Sequence, residues 1–167
     1  MRSRMVKSLR GKGKRALAPS PPRCYTMDGM TTIVTSAPDE TVAAGRALAG
    51  RLAPGATVAL SGDLGAGKTH FVRGLVAGWG GTEEATSPTF TLVHEYATPR
   101  GPVFHLDLYR TESADDVWAA AHDELAGDGG LVVIEWADRF PALIPPHAFR
   151  VTIDHHGEGR RRITIAP

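Results

Sequence analysis

The chain has 167 residues, enough for one domain with a substantial core, and its net charge of +1 conceals two opposed halves. Residues 1–30 carry eight Lys or Arg against Asp28 alone, whereas residues 31–167 hold 11 basic and 17 acidic residues. An acidic body argues against a domain that grips nucleic acid by itself, and the single Cys24 excludes an internal disulfide or a cysteine-rich metal site.

The basic segment, with its Pro-Ser-Pro-Pro, lacks the apolar periodicity of a packed element and reads as a disordered tail. Met27 and Met30 are equally good starts for the chain as read, which would leave the tail outside the protein; its functional alternative is an RNA-binding arm. No apolar run has the length of a secretory signal core or a membrane span, so a soluble, cytoplasmic domain over residues 31–167 is expected.

Within that domain Thr31–Ser36 reads as a first strand, and Pro38-Asp39-Glu40-Thr41 opens a helix running to about Leu52. Ala56–Leu60 is a short apolar run suited to a buried parallel strand. It leads into Gly62-Asp63-Leu64-Gly65-Ala66-Gly67-Lys68-Thr69, which matches the phosphate-binding pattern G-x-x-x-x-G-K-[ST]. Phe71, Leu75 and Val76 then recur at helical spacing up to Trp79-Gly80-Gly81.

A loop at such a strand-to-helix turn wraps a phosphate in backbone N–H groups, and the helix N-terminus adds roughly half a positive charge. Lys68 is placed to bridge the β- and γ-phosphates and the Thr69 hydroxyl to hold Mg²⁺. The four specified positions coincide by chance in roughly one chain of this length in a few hundred. Lys68 is also the only lysine after the tail, so a compact ammonium stands where one is needed.

A polar connection, Thr82–Ser87, leads to Pro88 and a β-rich Thr89–Tyr96. The turn Pro99-Arg100-Gly101 returns the chain into Val103–Tyr109 as an antiparallel hairpin. Ser113–Leu125 reads as a helix with Ser113 as its cap. Leu131–Ile134 is an apolar strand ending on Glu135, and Phe149–Asp154 and Arg161–Ile165 form a second hairpin. The mixture of βα units and hairpins predicts a three-layer α/β, P-loop NTPase-like fold with a mixed central sheet and helices on both faces.

Two acids close apolar strands, where a metal-supporting carboxylate is needed: Glu135 and Asp107. Glu135 is the stronger, since its strand is wholly apolar; Asp107 has a structural pairing with Arg110 as its alternative. Ser87-Pro88-Thr89 is the expected γ-phosphate sensor. His70 reads as packed or solvated, His155-His156 as exposed, and Trp79, Trp118 and Trp136 as separated elements of core or surface that form no stacking platform, any one of which could touch adenine or a partner. The sequence contains no asparagine and no glutamine. A glutamine-positioned water and an Asn-Lys-x-Asp guanine reader are thereby both excluded, which favours ATP over GTP and slow unassisted turnover.

Four stretches together, Gly62–Thr69, Ser87–Leu92, His105–Arg110 and Ile134–Trp136, make the chain resemble the bacterial TsaE family over residues 31–165. That family is the small ATPase component of the machinery that forms N6-threonylcarbamoyladenosine in tRNAs reading ANN codons. The resemblance implies Mg²⁺ on Thr69 and Glu135 and catalytic assistance from Asp107 and Thr89. It implies ATP along Gly65, Ala66, Gly67, Lys68, Thr69 and His70, with minor contacts near Thr41 and from Arg160. It further implies a TsaD–TsaB heterodimer as partner, tRNA being met only through that complex; oligomeric state stays open. His70 departs from the family's usual second hydroxyl residue, and the basic tail is not a family feature. The competing functions are a small-molecule kinase, for which Arg160-Arg161-Arg162 would be the lid arginines, and a binding module without turnover.

Overall fold

The structure, a computed structural model, describes residues 23–27, 29–88, 92–115, 117 and 129–167. Among these residues eight strands form one mixed sheet: β1 (Arg23–Met27), β2 (Met30–Thr35), β3 (Thr57–Ser61), β4 (Val93–Tyr96), β5 (Val103–Asp107), β6 (Leu131–Glu135), β7 (Phe149–His155) and β8 (Arg161–Ala166). Their order across the sheet is β1-β2-β8-β7-β3-β6-β5-β4. Strands β7, β3, β6 and β5 run parallel, and the β1–β2, β2–β8, β7–β8 and β4–β5 pairs are antiparallel. Both hairpins read from the sequence are therefore present, one on each side of the parallel centre.

Strand alternation sorts the core into two layers. Val58 and Leu60 of β3 and Leu131 and Val133 of β6 face helices α1 (Pro38–Ala49) and α2 (Lys68–Trp79). Ala59, Val132 and Ile134 face the opposite side, where Val117 and the turns bearing Ala137, Leu143 and Ile144 cover them. Full burial of each Val, Leu or Ile among them favours folding by about 1.5–3 kcal/mol, so both layers hold the sheet. The second layer is closed among the described residues by 3₁₀ turns at 137–139 and 141–143 and by helical Ala114, Asp115 and Val117. The remainder of the helix expected over Ser113–Leu125 lies outside the described residues.

Three boundaries differ from expectation. Among the described residues a further strand precedes the expected first one: β1 runs antiparallel along β2 from Arg23↔Val34 to Met27↔Met30. Helix α1 stops at Ala49, where the Arg100 guanidinium donates to the carbonyls of Ala49 (3.1 Å) and Leu52 (2.9 Å) and stacks 3.8 Å from the Trp79 ring. Strand β5 stops at Asp107, whose carboxylate accepts the Tyr109 amide at 3.0 Å and turns the chain out of the sheet.

Helices α1 and α2 meet backbone to backbone. A Cβ on Gly74 would lie 2.0 Å from the Val42 carbonyl oxygen, and one on Gly45 would lie 2.2 Å from that of Phe71. Gly74→Ala is expected to destabilise the fold by about 1–3 kcal/mol through overpacking, against alanine's advantage of roughly 1 kcal/mol in helix propensity. A urea midpoint equal to the wild type's would show that the helices separate freely and the contact carries no weight.

Candidate functional site

The parallel register brings the chemistry to one level. Leu60 of β3 and Asp107 of β5 both pair with Glu135 of β6, so the carboxyl ends of three adjacent strands open together beside the loop that follows β3. Clefts at such strand ends are where open α/β sheets take their ligands. Here the cleft measures about 450 Å³ and is lined by Leu64, Gly65, Gly67, Lys68, Thr69, His70, Ser87, Asp107, Tyr109, Arg110, Glu135 and Trp136.

Gly62 begins the loop at φ 134°, and a Cβ there would lie 2.1 Å from the carbonyl oxygen of Ile153 in β7. The turn can thus lie directly on the neighbouring strand only with glycine at its head. Ala66 is buried and its amide donates to Asp63 O at 3.2 Å, closing the turn before α2 starts at Lys68.

The Lys68 ammonium donates to the carbonyls of Gly62 (2.7 Å) and Asp63 (3.0 Å) and sits 3.6 Å from the centre of the Trp136 ring. Burial holds its pKa below the ordinary lysine value, partly opposed by Glu135, Asp107, Asp138 and Asp63. A cation so placed is favoured by an incoming anion. Thr69 donates its hydroxyl to Glu135 Oε1 at 3.1 Å, and His105 Nε2 meets the same oxygen at 3.0 Å. Ser87 donates to Asp107 Oδ2 at 2.6 Å, while the other carboxylate oxygen holds Tyr109 N.

The Thr69–Glu135 pair also suits Mg²⁺. Both are hard oxygen donors, and 3.1 Å is close to the edge of about 2.9 Å in an octahedron with bonds of about 2.0–2.1 Å.

Of the residues read from the sequence, Gly65, Gly67, Lys68, Thr69, His70, Ser87, Asp107 and Glu135 line one cleft, with Ala66 beneath it. Thr89 lies outside the described residues, as does Trp118. Thr41 does not line the cleft: it is buried under Gly67, 3.8 Å from where a Cβ would stand, and pairs its hydroxyl with Thr35 at 3.0 Å. Arg160, exposed in the β7–β8 turn 3.8 Å from Glu158, does not line it either. Asp107 uses its carboxylate on Ser87 and Tyr109.

Trp136 is the tryptophan that reaches the cleft: its ring carries Lys68 on its face and lies 4.8 Å from that of Tyr109. Its backbone is left-handed, φ 60°, which swings the side chain from the end of β6 into the cleft. His105 was not singled out by motif chemistry. Counting back two from Asp107 along a strand would have placed it on the same face.

A Gly-Lys-Thr loop between a central parallel strand and its helix, with acids ending the next strands, defines a P-loop nucleotide-binding protein of the NTPase-like class. A family model described as "Threonylcarbamoyl adenosine biosynthesis protein TsaE" matches residues 35–163. The chain belongs to the TsaE family. It is 40% identical over 147 residues to the tRNA threonylcarbamoyladenosine biosynthesis protein TsaE of a Nostoc species, covering 85% of this chain and 89% of that one. The protein of the same name from Bacillus subtilis is 37% identical over 128 residues, covering 77% and 80%. Among solved structures, B. subtilis YdiB superposes with a TM-score of 0.65 at 30% identity, covering 84% of this chain and 87% of that one. No helix among the described residues is long and apolar enough to cross a membrane.

Proposed function

We propose that this protein is the ATP-hydrolysing component of the threonylcarbamoyladenosine machinery, cycling a TsaD–TsaB heterodimer in the cytoplasm. The observation that carries the reading is the convergence in one cleft of Lys68, the Thr69–Glu135 pair and the Ser87–Asp107 pair. Lys68 and the loop amides of residues 65–70 bind the phosphates of ATP. Thr69 and Glu135 hold Mg²⁺, which when bound neutralises charge developing on the phosphates. Asp107, held by Ser87, accepts a hydrogen bond from the attacking water and aims it at the γ-phosphate; Thr89 assists from the same segment. An acidic body supports an output read by a partner rather than by nucleic acid gripped directly.

The test is phosphate release from ATP and Mg²⁺ by the purified chain, alone and with TsaD–TsaB. Stimulation by the heterodimer is the expected result. Phosphate appearing on a metabolite instead of in water would replace this reading with a kinase, and no release under either condition would leave a binding module.

A further inference from the structure

His105 is fully buried and lies on β5 two residues before Asp107, opposite Val133 in the parallel register with β6. Glu135, 2% exposed, turns its carboxylate back along the sheet so that Oε1 meets His105 Nε2 at 3.0 Å. A carboxylate only accepts, so Nε2 carries the proton. Nδ1 has no hydrogen-bond partner among the described residues, so Glu135 is the one side chain that the ring's nitrogens address there.

The imidazole is itself held in place. Tyr96 of β4 is buried with its ring 6.3 Å from that of His105, and its hydroxyl is pinned at the far end. That hydroxyl accepts from Thr86 N at 3.2 Å and donates to Thr86 O at 3.1 Å. Stability does not account for a polar pair in this position. A well-packed apolar side chain at 105 would serve the core at least as well, because desolvating a buried polar or ionic pair offsets most of its attraction. What an apolar residue would not supply is a direction for the carboxylate. Glutamate has three rotatable bonds, and two donors on separate elements, Thr69 from α2 and His105 from β5, converge on one of its oxygens.

We propose that His105 is a positioning residue: it locks Glu135 in the rotamer that presents a carboxylate oxygen beside the Thr69 hydroxyl, and so sets the affinity of the site for a divalent cation. The proposal rests on the nucleotide–Mg²⁺ reading above and adds a residue that acts only through Glu135. Groups that orient a metal-binding carboxylate typically change metal affinity by about 10–100-fold when removed.

The experiment uses the full chain, ADP and Mn²⁺, with bound metal counted by electron paramagnetic resonance, so that it reads binding without turnover. His105→Phe and His105→Leu remove the donor, and His105→Gln keeps an N–H of similar reach. Mn²⁺ binding about 10–100-fold weaker in the first two, with ADP affinity in EDTA within about twofold of wild type and recovery in His105→Gln, is expected. On a Glu135→Ala background His105→Phe should add no further loss. A folded donor-free variant with wild-type Mn²⁺ affinity overturns the proposal. If neither donor-free variant folds, His105→Gln decides: wild-type affinity supports the proposal, and a loss as large as that of Glu135→Ala overturns it. Wild-type protein that takes up no Mn²⁺ with ADP overturns the nucleotide–Mg²⁺ reading as well, which separates the two failures.

Discussion

Lys68→Ala is expected to lower ATP hydrolysis by about 10²–10³-fold, the usual consequence of removing one preorganised charge stabiliser from a phosphoryl-transfer site. Without nucleotide the ammonium rests on two neutral carbonyls and the face of Trp136. A phosphate oxygen forms a charge-assisted bond that those partners cannot match, so the lysine gains by leaving them when ATP arrives. The same residue sets a sign for pH. Its folded pKa lies below the ordinary value, so in the window between the two the unfolded chain holds a proton that the folded chain lacks. Stability of the free protein therefore rises through that window by this group, and below it the full cost of burying the charge is present. Urea midpoints of wild type and Lys68→Met should converge as pH rises toward the ordinary lysine value. A Lys68→Ala protein turning over within about tenfold of wild type would remove the ammonium from the mechanism.

Glu135→Gln should abolish Mg²⁺-dependent turnover to a similar degree, about 10²–10³-fold, because it withdraws the negative oxygen that sits beside Thr69. Glutamine is the informative substitution. Alanine would also leave the buried His105 N–H without an acceptor, costing about 1–3 kcal/mol and confusing lost chemistry with lost stability. The amide carbonyl keeps an acceptor for both Thr69 and His105. Phosphate release measured across a Mg²⁺ titration, beside urea midpoints, separates the effects. Retained hydrolysis in Glu135→Gln would transfer the metal-supporting role to Asp107, its neighbour across the β5–β6 register.

The phosphate loop and both terminal carboxylates were legible because each depends on local pattern: a fixed glycine spacing, or a charge at the end of an apolar run. The mixed sheet followed from element order, since two hairpins flank βα units. What escaped depends on contacts between elements distant in sequence. Arg100, about 50 residues away, takes the carbonyl of α1's last residue, Ala49, and that of Leu52 beyond it, and no reading of residues 38–52 contains that information. Trp136 reaches Lys68 because a left-handed backbone at one residue redirects its ring, a conformation uncommon for a bulky residue and invisible to propensity. His105 pairs with Glu135 through strand register, which alternation suggests once the neighbouring strand is known.

The crossing of α1 and α2 carries a mechanical consequence. Where carbonyl oxygens of one helix lie against the α-carbons of the other, no side chain remains between them to flex or change rotamer. The loop is thus bolted to a stiff two-helix block, and rolling one helix over the other would drive backbone into backbone. Across the cleft the bracing is of another kind, since Thr86 and Ser87 are held through side chains, a tyrosine hydroxyl and a carboxylate. One wall of the site is thus fixed by main chain against main chain and the other by polar side-chain bonds.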